Sequence, residues 1–241
     1  MAHFCIKSHA ELGPHTVLAP ERYDPRRSLR HRVESATVPL QEVVTFQRTL
    51  MLPKQAAQSQ GLFQVLDTSD AKSGLIQGPG HQLRGDELGS AKKRVRTGQV
   101  LISRLRPYLR QVAFIDAGAH RNSSENLPLE LLCSTEFFVL RPLSEEEPGP
   151  NGAERSIAFL VPYLLSVPVQ RILAAAQEGG HHPRFSEETL RLLPIPSALL
   201  QKRDAVSAAV ERSVARYRQS QASLQALEHS TGALLEPPDR A

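Results

Sequence analysis

Between Arg84 and Arg110 the chain carries Arg84, Lys92, Lys93, Arg94, Arg96, Arg104, Arg106 and Arg110 against only Asp86 and Glu87. Ammonium and guanidinium groups attract phosphate in a salt-dependent way, and arginine also reads guanine through two hydrogen bonds in the major groove. Lys92, Lys93, Arg94 and Arg96 are expected in a flexible stretch before a strand, a placement suited to gripping a polyanion backbone. Arg104, Arg106, Tyr108 and Arg110 cluster at the end of that strand and its turn. For any one of these residues, solvated surface charge is an equally good reading.

Other reactive side chains form weaker patterns. His181 and His182 are adjacent, so their rings project in different directions, which suits backbone or phosphate contacts, or a structural turn, better than chelation of one ion. Arg184 follows closely, and it either joins that surface or pairs with Glu187 or Glu188 at a helix start. Asp70-Ala71-Lys72 has the form of half a nuclease metal motif, and a polar turn explains it as well. His3, Cys5 and His9 lack a matching Cys/His pair elsewhere, so no metal site is expected. The sequence has no phosphate loop, dinucleotide fingerprint or nucleophile elbow. No catalytic centre and no cofactor are therefore expected.

The composition narrows the class. Over 241 residues, 40% are hydrophobic, 22% are charged and 5% aromatic, with no tryptophan, so a large aromatic ligand cage is not expected. The net charge of +4 favours a polyanion only mildly. Cys5 and Cys133 make no disulfide framework. The most apolar stretch, Ile157 to Val167, is too short to span a bilayer and contains Pro162. The expectation is a cytoplasmic protein away from membranes.

The elements that must hold the basic residues follow from period and punctuation. Residues 1–38 read as an irregular arm, and Leu40 to Phe46 as a short amphipathic turn. Strands are expected at Leu62–Leu66, Gln99–Leu105, Gln111–Asp116 and Ser134–Leu140, forming a mixed, partly buried sheet. Residues 73–90, rich in glycine, read as loop, and Glu145 to Gly152 as an acidic surface loop. Ile157 to Ala176 reads as a helix bent or restarted at Pro162 and Pro168. Ser186 is a good N-cap for a short helix closed by Pro194-Ile195-Pro196. From Ala198 to about His229 no proline or glycine occurs, and Val206, Val210, Tyr217, Leu224 and Leu227 fall on one heptad seam. A solitary helix of this length needs a partner. No internal repeat stands out.

Three segments in order carry a resemblance. Lys92 to Tyr108 includes Gly98-Gln99-Val100-Leu101-Ile102-Ser103; Cys133 to Pro142 includes Ser134-Thr135-Glu136-Phe137-Phe138-Val139-Leu140-Arg141-Pro142; Gly179 to Ser186 leads to Leu193-Pro194-Ile195-Pro196. Together they resemble the target-recognition domain of type I restriction–modification specificity subunits, with Gln99 where the family commonly has Asp. Arg22-Tyr23-Asp24-Pro25 and Val38 to Val44 resemble the family's lead-ins more weakly.

The resemblance implies a mixed α/β (α+β) fold, one recognition domain followed by a long coiled-coil-type helix, and a non-catalytic subunit that binds double-stranded DNA. Its implied partners are a DNA adenine methyltransferase subunit and, where restriction accompanies modification, a motor subunit. The expected division is 1–38 arm, 39–196 recognition domain, 197–230 long helix and 231–241 tail. Complete family members carry two recognition domains, so a homodimer through the seam from Val206 to Leu227, or pairing with a second specificity protein, is expected. A protein–protein adaptor and, more remotely, a nuclease at Asp70 and Lys72 are the competing classes.

Overall fold

The computed structural model describes residues 36–235 except 60, 79, 120–128, 144–154 and 179–181, together with 6, 8 and 9. Apart from Ile6, Ser8 and His9, the expected arm before Ala36 therefore lies outside the described residues, as do the acidic loop and the last residues of the tail.

In chain order the strands and helices are β1 (Thr37–Pro39), β2 (Val44–Gln47), β3 (Leu50–Met51), α1 (Pro53–Ala57), β4 (Leu62–Leu66), β5 (Ala71–Lys72), β6 (Gly74–Ile76), β7 (His81–Arg84), β8 (Lys92–Arg94), β9 (Val100–Ser103), β10 (Val112–Phe114), β11 (Leu129–Cys133) and β12 (Phe137–Pro142). There follow α2 (Leu160–Leu165), α3 (Val167–Ala175), α4 (Glu187–Arg191), β13 (Pro194–Pro196), α5 (Ser197–Gln201) and α6 (Arg203–Leu235).

The apolar runs of the central strands are continuous because both faces are buried. In β12, Phe138 and Leu140 join a core with the helices, while Phe137 and Val139 join a second core behind the sheet. The same alternation sends Val100 and Ile102 of β9 to one core and Leu101 to the other. This sheet runs β2-β12-β9-β10-β6-β5 and is antiparallel except where β6 and β10 pair in parallel. A second sheet, β3-β8-β11-β4-β7, is antiparallel except for β4 with β11, and its outer face buries Met51, Phe63, Val65 and Leu132 with Ala56 of α1. The layers are thus helices, sheet, sheet and α1. A mixed α+β fold was expected, with one sheet rather than two large ones and a two-stranded ladder.

Several local expectations change. Leu40 to Phe46 is a 3-10 turn running into β2, not an amphipathic turn, because Leu40, Val44 and Phe46 all enter the helix-side core. The stretch 73–90 contains β6 and β7, whose strands are too short for their periodicity to register. Pro162 lies in the first turn of α2, where its missing N–H costs nothing, and the chain breaks instead at Ser166, before Pro168 restarts α3. Pro194-Ile195-Pro196 does end α4, but as β13, pairing antiparallel with β1 through Val38 and Ile195. Prolines are tolerated in so short an edge ladder. This ladder ties Thr37 and Val38 to the segment that follows α4.

The long helix is not solitary. A break at Lys202 separates α5 from α6, and α6 continues past Gly232 to Leu235. Its first half packs on the domain: Val214 is buried, and Val206, Val210 and Tyr217 pack against the helix-side core. The buried Ser207 Oγ accepts from Phe159 N at 3.0 Å and donates to Ser156 O at 3.2 Å. Arg218 donates to both oxygens of Asp116 at 2.9 Å and to Ile76 O at 2.7 Å. Gly118 is small for this reason, since a Cβ there would stand 2.8 Å from Arg218 Nε. Three of the five expected partner-seam residues are therefore used within the chain, and only Leu224 and Leu227 stand exposed, at 59% and 62%.

Candidate nucleic-acid interface

Beyond Ser103 the chain leaves β9 and runs beside the segment from His182 to Phe185. Arg106 N donates to Pro183 O at 3.1 Å and Phe185 N to Arg104 O at 3.2 Å, an irregular antiparallel ladder. Phe185 is buried against Phe138, with ring centroids 5.7 Å apart, and this anchors the second segment. The turn into β12 supplies Glu136, whose backbone oxygen accepts from Arg104 N at 3.0 Å.

These contacts gather two arginines on one carboxylate. Arg184 donates to Glu136 through Nη2 at 2.9 Å and Nε at 3.0 Å, and Arg104 Nε donates to it at 2.8 Å. Hydrogen bonds from Arg184, then from Arg104, outweigh the desolvation and pull the Glu136 carboxyl down to about 2. The same carboxylate raises the Arg184 guanidinium above its ordinary value. Arg184 therefore pairs with Glu136, not with Glu187 or Glu188 of the helix that follows it.

The remaining cations extend this surface. Arg106 Nη2 lies 3.3 Å from Nδ1 of the exposed His182, a contact that requires an unprotonated Nδ1. Arg106 has no carboxylate partner among the described residues. Lys93 Nζ donates to Phe137 O at 2.6 Å and sits 5.6 Å from the Phe138 ring centroid. Burial lowers the Lys93 ammonium from its ordinary value. Below them α4, capped by Ser186 accepting from Thr189 N, presents Glu187 to Arg48 at 2.7 Å and Arg191 at 2.8 Å. Burial opposes the Glu187 charge, but the bonds from Arg48 and Arg191 prevail and hold it below the usual range. Arg191 lies 4.5 Å over the Phe46 ring. Arg48, Lys93, Arg104, Arg106, Arg184 and Arg191 against Glu136 and Glu187 leave this region a net cation.

The expected site residues are thus partly dispersed. Lys92, Lys93 and Arg94 form β8 rather than a flexible stretch, and alternation turns Lys92 and Arg94 away from Lys93. Arg94 pairs with Glu130 at 3.0 Å, and Lys92 donates to Ser90 Oγ at 2.7 Å. Arg96 lines a cavity of about 750 Å³ beside α6, shared with Arg141, Arg155 and Arg218. Arg110 turns to the end of α2, donating to Leu165 O. Tyr108 is 63% exposed on the turn between β9 and β10. His181 lies outside the described residues.

Arg48, Glu136 and Arg191 were not foreseen, and Glu187 was expected only as a partner for Arg184. Glu136 stood within the Ser134–Pro142 segment, which was the available signal; nothing marked Arg48. Asp70, weighed as a metal ligand, accepts from Asp67 N at 2.7 Å in its own turn. Among the described residues, no three His, Cys, Asp or Glu side chains group as a metal site, and no helix is long and apolar enough to cross a membrane.

No family model and no curated protein matches this sequence. Solved structures do. A chain of a type I R-M system, determined to explain complex assembly and conformational transition, aligns with 85% of this chain and 50% of its own length, at 24% identity and a TM-score of 0.52. The HsdS subunit from Thermoanaerobacter tengcongensis aligns over the same shares, 85% and 50%, at 23% identity and a TM-score of 0.48. The chain spans half the length of these structures, and the fold it shares with the first is the fold expected from the three ordered segments.

Proposed function

We propose that this chain is a DNA-recognition subunit of a type I restriction–modification-like system, carrying one recognition domain where the similar structures have twice the length. The observation that carries this reading is the cluster of Arg104, Arg106, His182 and Arg184 built on Glu136, in a fold shared with half of a type I R-M chain. A carboxylate that orients two guanidinium groups in advance lowers the entropy lost when they meet an anion. Phosphate attraction supplies affinity, and an arginine with no carboxylate partner among the described residues, such as Arg106, is the one available to a base edge. Methylation, and cleavage where it occurs, fall to partner subunits; the methyltransferase subunit is the first of these.

A second copy of the chain completes the half-subunit in this reading. The stripe of α6 that carries Leu224 and Leu227 continues into the exposed Ala205, Ala209 and Ser213, which border an apolar groove of about 610 Å³ with Val161, Pro162 and Leu165. Two α6 helices crossing antiparallel near Arg216 bring Leu227 opposite Ala205 and Leu224 opposite Ala209. Large residues then meet small ones on both sides of a twofold axis, and a twofold protein reads an inverted repeat.

The test is a mobility-shift assay of the chain with its methyltransferase partner on a randomised duplex pool at two salt concentrations. Enrichment of a defined sequence is expected, with Arg106→Ala weakening it by about 1–3 kcal/mol and relaxing one position. Lys93→Ala is expected to weaken all sequences alike. Complex formation with the partner but no enriched duplex at either salt would leave the adaptor reading in its place.

A further inference from the structure

Between β9 and β10 the chain turns through Pro107–Leu109, a single 3-10 turn. Pro107 is buried, but Tyr108 and Leu109 stand 63% and 48% exposed. The residues on either side, Arg106 and Arg110, both lie in the left-handed region at φ 42° and 52°. Non-glycine residues persist there only where the surroundings over-determine them. Here Arg106 N is tied to Pro183 O, Leu109 N to Arg106 O at 2.8 Å and Arg110 N to Pro107 O at 2.8 Å. The Arg110 guanidinium holds Leu165 O, and α3 packs against the turn. These bonds hold a left-handed backbone on both sides of a turn that presents an aromatic and an aliphatic side chain to solvent.

Its surroundings define what such a tip meets. Arg106 at its root adjoins the Arg104–Glu136–Arg184 cluster, and Arg110 stands on its other side. An apolar tip flanked by Arg106 and Arg110, with the Arg104–Arg184 pair at its root, matches a partner that is anionic outside and apolar between its stacked layers. Duplex DNA has this chemistry. We propose that the Pro107–Leu109 turn is a wedge whose Tyr108 and Leu109 side chains enter one base step of the bound duplex, partly unstacking it and bending the helix axis. This rests on the DNA-recognition reading above and adds to it a contact that acts through deformability rather than base edges.

The probe is a duplex enriched by the full chain from a randomised pool, with 2-aminopurine placed in turn at each position of the site. Binding is expected to raise fluorescence several-fold at one step and to give position-dependent mobility in a circular-permutation gel. Tyr108→Ala and Leu109→Ser are expected to flatten both signals and weaken binding about tenfold, as loss of a base–aromatic stack does, while Tyr108→Phe retains them. Both positions are exposed, so unchanged melting temperatures are expected and serve as the folding control. Unaltered fluorescence at every step, with Tyr108→Ala binding as tightly as the parent, overturns the wedge and leaves DNA recognition standing. Loss of methyltransferase capture by Tyr108→Ala, with the fluorescence change intact, also overturns it, making the tip a protein contact. If no duplex is enriched at all, the DNA reading fails and the wedge with it.

Discussion

Glu136 ties the turn before β12 to the strand end at Arg104 and to the segment at Arg184, and both guanidinium groups take their direction from it. Its carboxyl titrates near 2 in the folded chain, below the ordinary value of 4.5. A depressed carboxyl contributes stability that is complete above the unfolded value and disappears as pH falls through the folded one. Glu136→Gln is therefore expected to lower stability by about 1–2 kcal/mol near neutrality, after allowance for the solvent reaching both arginines. That difference should shrink below pH 4.5 and vanish near pH 2, as read from urea midpoints of the two proteins at each pH. A gap that stays constant with pH would mean that packing, not charge, is lost. The sequence brought Arg104 and Arg184 forward as cations but assigned Glu136 no role. It lies 32 and 48 residues from its partners. Charge pairing over such separations leaves no local pattern, whereas Glu187 and Glu188 lie a turn away and invite a pairing that the fold does not make.

At the scale of elements, legibility follows the length of the apolar run. The strands around Val65, Leu101, Ala113 and Val139 were readable because each must fill a core on two sides. β1 and β13 were not, since a ladder of three residues edged by prolines has the composition of a turn. The long helix was readable as a helix, but the use of its seam was not. Val206 and Val210 have the same spacing whether they face their own domain or another chain. Ser207 shows which half of α6 is docked. Ser207→Ala removes the acceptor for Phe159 N in a buried site and is expected to destabilise the chain by about 1–3 kcal/mol. Ser213→Ala, on the exposed side of the same helix, is expected to fall within about 0.5 kcal/mol of the parent. Equal denaturant midpoints for all three proteins would mean that the first half of α6 is not held on the domain.

For the whole molecule, the exposed half of α6 sets the question of assembly. With Leu224 and Leu227 exposed, sedimentation velocity of the chain is expected to give a dimer, and the paired change Leu224→Glu, Leu227→Glu a monomer of unchanged melting temperature. A parent chain that stays monomeric with the methyltransferase partner present would exclude the twofold pairing. The sequence alone determined the α+β class, the principal strands, the capped α4 and the long helix, because each follows from local pattern: apolar period, N-cap chemistry and the absence of breakers. It also placed Arg104, Arg106, His182 and Arg184 among the candidates for one surface. Only the tertiary structure decided that these four adjoin, that Lys92, Arg96 and Arg110 stand apart from them, and that three of the five seam residues are already covered. Those outcomes depend on which distant segments share a sheet edge, and a single sheet register moves every side chain to one face or the other.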